Sequence, residues 1–113
     1  MKNTFQTWDN LVSFLHETYK IDKNLLSVLF LIGIHETGKG FGKFTQDEKT
    51  AIVKHAQFLI LSRENFYFRI SKYEDDVPGW AQNPNRPLPT DIVLEKLLES
   101  LILDYFNEKQ ITN

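Results

Sequence analysis

Residues 33–39 read Gly33-Ile-His-Glu-Thr-Gly38-Lys39 and satisfy the spacing G-x-x-x-x-G-K, in which backbone N–H groups cradle a phosphate chain. That chemistry also needs Ser or Thr after the lysine to hold magnesium, and Gly40 stands there instead. A phosphate loop must further launch a helix at its lysine, whereas the next helix signal comes only at Thr45. A weaker anion site survives on paper, from Lys39, Lys43 and the helix start at Thr45, where free N–H groups favour negative charge. The simpler reading is that the glycines close one helix and reverse the chain, and the lysines are solvated.

His35 and Glu36 are the natural candidates for acid–base work. Metal binding by His35, Glu36 and His55 is disfavoured by spacing. H-E-x-x-H is broken by Lys39, and in an antiparallel pair of helices His35 and His55 would lie roughly 12 Å apart. No metal or cofactor is therefore expected. Glu36 is unusual for another reason: a carboxylate at a helix C-terminus opposes the helix dipole. The preferred reading is that Lys39, Lys43 or the N–H groups of the next helix compensate it and lock the loop. Glu74-Asp75-Asp76 lacks calcium-loop spacing and reads as a solvated turn. Trp80, with Tyr67, Tyr73 and Phe68 nearby in sequence, forms either an aromatic recognition surface or a plug that seals a hairpin onto helices; the residue types suit both.

The elements that must position these groups follow from periodicity. Trp8, Leu11, Val12, Leu15 and Tyr19 recur at helical spacing behind Thr7 as N-cap, predicting a helix over 7–20. A second helix is expected over 23–36, capped by Asp22, with Ile21 stapled to Leu26. It is apolar on almost every side, so it belongs in the middle of a bundle or in an interface. Val28–Gly33 alone would also suit a buried strand, but the capped start and the length of the apolar run favour helix. Thr45-Gln46-Asp47-Glu48 is a capping box, opening a third helix that ends near Ser62 with Ala51, Ile52, Ala56, Leu59 and Ile60 on its core face.

From Asn65 the period becomes two. Phe66, Phe68 and Ile70 alternate with Tyr67, Arg69 and Ser71, predicting a half-buried strand. Val77-Pro78-Gly79-Trp80 has the chemistry of a type II turn, with a return strand around 80–83. The proline-rich stretch 83–89 reads as an extended linker, and Thr90 with Asp91 opens a last helix whose core face is Leu94, Leu97, Leu98, Leu101 and Tyr105. The expected fold is mainly α with minor β: one four-helix domain with a small β-hairpin inserted before the last helix. A lone hairpin is marginal, so it must lie on the helices or pair with a second chain.

Composition narrows the function classes. The 113 residues carry a net charge of −2, which argues against a general affinity for nucleic acid or anionic membrane. There is no cysteine, so disulfides, thiolate metal sites and cysteine nucleophiles are excluded. Aromatic residues make up 13%, nine of them Phe, a surplus suited to a partner or self-association surface. The opening MKNTFQTWDN lacks a signal-peptide apolar core, and Leu25–Ile34 is about half the ~20 residues needed to span a bilayer. A cytoplasmic protein is the expectation.

The segments IGIHETGKGFGKF and the following DEK, His55-Ala56, and DDVPGW with PLP resemble a group of short uncharacterised proteins of Bacteroidetes-type bacteria, over roughly residues 28–105. The similar proteins tend to carry a plain Asp-Gly-Trp turn where this chain has Val77-Pro78 before Gly79. The resemblance implies a small bacterial cytoplasmic protein and transfers no functional residue. The leading expectation is a non-enzymatic interaction module that forms a homodimer or docks onto another protein. Behind it stand an anion or small-ligand binder using the 38–45 loop, and an enzyme using His35 and Glu36.

Overall fold

The computed structural model describes residues 5–38, 42–74 and 77–111; the side chains of 71–74, 77, 78, 110 and 111 lie outside that description. Among the described residues there are four helices, α1 (Trp8–Tyr19), α2 (Leu25–Thr37), α3 (Gln46–Ser62) and α4 (Asp91–Ile111). A two-stranded antiparallel hairpin, β1 (Tyr67–Glu74) and β2 (Val77–Gln82), lies between α3 and α4. The fold is mainly α with minor β, as the periodicities imply. No described helix is long and apolar enough to cross a membrane.

The chain divides into two compact units, Met1–Val28 with Pro89–Asn113, and Leu29–Leu88. In the first, Thr7 caps α1 by accepting the Asn10 N–H at 3.1 Å, and Lys20 closes the helix in the left-handed conformation. α1 buries Leu11, Val12 and Leu15, and it lies against α4, whose Leu98, Leu101, Ile102 and Tyr105 are buried. Asn107 on α4 holds the segment before α1 from both sides. Its Oδ1 accepts from the Phe5 N–H at 2.8 Å, and its Nδ2 donates to the Phe5 carbonyl at 2.9 Å. Tyr19, expected on the core face, is the last residue of α1 and is exposed. Ile102 is fully buried, so the α4 core face is wider than the Leu94–Tyr105 stripe read from sequence. Asn24, not Asp22, caps α2: its side chain accepts from the Ser27 N–H at 2.8 Å, and the helix starts two residues later than expected. Leu26 is exposed, which removes the expected staple.

The second unit carries the rest of α2, then α3 and the hairpin. Leu29, Leu31, Ile32 and Ile34 are buried, matching a helix that is apolar on nearly every side. Gly33 is where α2 meets α3: a methyl group there would overlap both the side chain and the carbonyl of Ile52. The Thr37 hydroxyl donates back to the Gly33 carbonyl at 2.7 Å, and Gly38 follows with φ of +73°. Gly38 thus supplies the expected left-handed glycine at the helix end; residues 39–41 of the loop lie outside the described residues. The capping box of α3 is complete, Glu48 N–H to Thr45 Oγ1 at 3.1 Å and Thr45 N–H to Glu48 Oε1 at 2.8 Å. Ala51, expected on the core face of α3, is exposed, while Ile52, His55, Ala56, Ile60 and Leu61 are buried.

The hairpin differs most from expectation. Val77-Pro78-Gly79-Trp80 is not a turn but the first part of β2, pairing Val77 with Glu74, Pro78 with Tyr73, Gly79 with Ile70 and Trp80 with Arg69. The register shifts between Ile70 and Tyr73, so β1 bulges opposite Pro78. A bulge is where a strand tolerates a residue without an N–H, and that lets proline sit inside a ladder. Residues 75 and 76, within the acidic Glu74-Asp75-Asp76 run, lie outside the described residues. After β2, Asn83 makes a turn instead of an extended linker. Its N–H reaches the Phe66 carbonyl at 2.9 Å, its Nδ2 reaches the Asn65 carbonyl at 2.8 Å, and its carbonyl takes the Arg86 N–H at 3.2 Å.

Candidate functional site

The groups with chemical potential gather where the hairpin meets α3. His55 lies three residues after Ile52 and four before Leu59, so helical spacing puts it on the buried stripe of α3, and it is 3% exposed. Trp80 comes from β2 and donates its indole N–H to His55 Nδ1 at 3.1 Å, with ring centroids 5.8 Å apart. An Nδ1 that accepts carries no proton, which fixes the neutral ring with its hydrogen on Nε2. Phe58, one turn further along α3, stacks on Tyr67 of β1 at 4.6 Å and approaches Trp80 at 6.4 Å. Arg69 faces Trp80 across the ladder, its guanidinium 5.8 Å from the indole centroid.

The electrostatics agree with this geometry. Burial pushes the His55 imidazole below its ordinary value of 6.5, and the Arg69 charge pushes it further down. The Glu36 carboxylate on α2 pulls the other way and only partly offsets them. Glu36 is thus electrically coupled to His55, although spacing along the two helices separates His55 from its neighbour His35. The strand alternation is inverted as well. Tyr67 and Trp80 face α3, Arg69 lies on the same side but is exposed over the Trp80 ring, and the apolar Phe68 and Ile70, expected to point inward, stand on the opposite face at 47% and 42% exposure.

The remaining candidates separate. His35 is exposed at the end of α2 and Glu36 is half-buried beside it. Lys43 is exposed, and Thr45 spends both its hydroxyl and its N–H on Glu48. Lys39 and Gly40 lie outside the described residues, as does the side chain of Tyr73. Among the described residues no three His, Asp or Glu side chains gather where they could hold a metal ion. Nor, among them, is any buried side-chain nitrogen or oxygen without a hydrogen-bond partner.

In the sequence His55 stands out as a metal-ligand or acid–base type and Arg69 only as one alternating residue of a strand. The helical stripe Ile52, His55, Ala56 and Leu59 was the signal that His55 is buried. No local signal marked Arg69 as its neighbour, because that contact depends on strand register. Comparison with protein-family models, with curated proteins and with solved structures gives no match to this chain.

Proposed function

We propose that the protein is a small, non-enzymatic interaction module of the bacterial cytoplasm that self-associates, or docks onto another protein, through the outer face of its β-hairpin. The observation that carries this reading is the pair Phe68 and Ile70, adjacent same-face residues of a two-stranded sheet that are both large, apolar and exposed. A strand can turn either face inward, and this one presents two bulky hydrophobes outward while Tyr67 faces the helix. Their partners across the ladder, Ala81 and Gly79, are small, so the face is flat and open to another surface.

Two observations weigh against the competing readings. The α3 N-terminus, the natural anion site beside Lys43, already holds the Glu48 carboxylate. The histidine coupled to Glu36 has its Nδ1 occupied by Trp80, so it is not poised to take a substrate proton through that atom.

Size-exclusion chromatography with light scattering tests the proposal on the full chain and on the double variant Phe68→Ser/Ile70→Ser. An oligomer that the double variant reduces to monomer supports self-association through this face. An oligomer that survives the double substitution places the interface elsewhere, and a monomer at every concentration removes the self-association reading. A thermal-shift screen with inorganic phosphate and phosphorylated metabolites tests the ligand reading. A binder present at one hundred times its Kd should gain about 2.7 kcal/mol.

A further inference from the structure

The bond between Trp80 and His55 joins the hairpin to α3 through a titratable acceptor. Indole nitrogen can only donate, so the bond exists only while Nδ1 keeps its lone pair. We propose that this bond is an acid-released latch: protonation of His55 turns its acceptor into a donor, breaks the bond to Trp80 and frees the inner face of the hairpin from α3. A proton taken from solvent onto Nδ1 sets two N–H groups against each other 3.1 Å apart, at a side chain that is 3% exposed. Water cannot satisfy both donors there without the rings separating.

Every element around His55 bears on the balance. β1 presents Arg69, whose positive charge opposes the imidazolium, α2 presents Glu36, whose negative charge favours it, and β2 presents the uncharged Trp80. Carrying these charges of opposite sign, the site sets where in the acid range the latch opens. The hairpin has two strands and little stability of its own, so loosening its hold on α3 is enough to loosen the whole element. Release uncovers Trp80 and Tyr67 together with Phe58 on α3, an aromatic surface distinct from the outer face bearing Phe68 and Ile70. The latch stands on this bond alone, whatever docks on the outer face.

The test is a pH titration of the full chain between about pH 8 and about pH 5, following the two tryptophan indole N–H signals by NMR with Trp8 as reference. As pH falls below 6.5, the Trp80 signal is expected to shift and exchange with solvent about tenfold faster or more, while far-UV circular dichroism keeps its helical signal. His55→Gln offers Trp80 an oxygen acceptor at every pH and should abolish the transition. A Trp80 signal that changes only when the helices melt overturns the latch, as does an unaltered transition in His55→Gln. If that variant does not fold, Trp80→Phe keeps a ring and removes the donor. The His55 titration midpoint should then rise, because the bond to the neutral form is gone, and an unmoved midpoint overturns the proposal.

Discussion

The two faces of the hairpin use the same backbone for opposite purposes. On the inner face Tyr67, Arg69 and Trp80 each find a specific partner: a ring on α3, an indole, a buried imidazole. On the outer face Phe68 and Ile70 stand exposed above Ala81 and Gly79. Amphipathic side chains are thus turned toward the protein and purely apolar ones toward solvent. The two inner rings bring the larger aromatic area, and Trp80 adds a donor that Phe68 and Ile70 lack: a one-residue slip would turn the indole outward and leave His55 without its donor. The inner face sets register and stability, and the outer face is left free to meet another molecule.

The most direct way to break this contrast is Trp80→Ala. It removes both the bond to His55 and the ring over the Phe58 stack, and should cost about 3 kcal/mol, the low end for a large aromatic because the ring is half-buried. Urea unfolding followed by circular dichroism measures it; a loss below about 0.5 kcal/mol, ordinary for surface sites, would mean the inner face does not hold the hairpin. Gly33→Ala attacks the same platform from its other side. The new methyl must displace the Ile52 backbone, and the expected loss is roughly 1–3 kcal/mol by the same measurement. Full stability in that variant would show that α2 and α3 can separate without cost.

How much of this was legible in the sequence differs by element. Helix α3 was readable because its signals are local: the capping box Thr45–Glu48 and the apolar stripe both lie within a few turns. α2 was readable as a buried helix, yet its start was misassigned, since Asp22 and Asn24 are both competent caps and only tertiary context selects Asn24. The hairpin was readable as a pair of strands but not in face or turn. Pro78-Gly79 has turn chemistry, and its place inside β2 depends on a bulge in the partner strand, which no residue on β2 announces. The pairing of His55 with Trp80 spans 25 positions, and the coupling of His55 to Glu36 and Arg69 needs three elements in register. Such a site is invisible to spacing rules that search within one helix.

The titration of His55 sharpens the inner-face description. Because its folded value lies below 6.5, the unfolded chain binds the extra proton first, and stability rises with pH in that window. The contribution is complete above pH 6.5 and is lost as pH falls through the unfolded value toward the folded one. Urea midpoints should therefore drop on acidification across that window, and the drop should shrink in His55→Gln. The two flanking charges should act in opposite directions on the NMR midpoint of His55. Arg69→Gln raises it by removing a positive neighbour, and Glu36→Gln lowers it by removing a negative one. Movement of both in one direction would mean that the charges act through altered packing instead of through their fields.

The smallest expected effect is also the one that decides whether the faces are truly divided. Phe68→Ser and Ile70→Ser, each alone, should change monomer stability by only about 0.5 kcal/mol, since both side chains already contact solvent. Serine costs some strand preference and removes little buried area, so these losses stay well below that of Trp80→Ala. If either variant proves as costly as Trp80→Ala in a sample shown by light scattering to be monomeric, the outer face is contributing to the fold and is not free for a partner. If the losses stay small in the monomer and grow where the wild-type chain associates, the difference is the energy of the interface, read directly from the concentration dependence of unfolding.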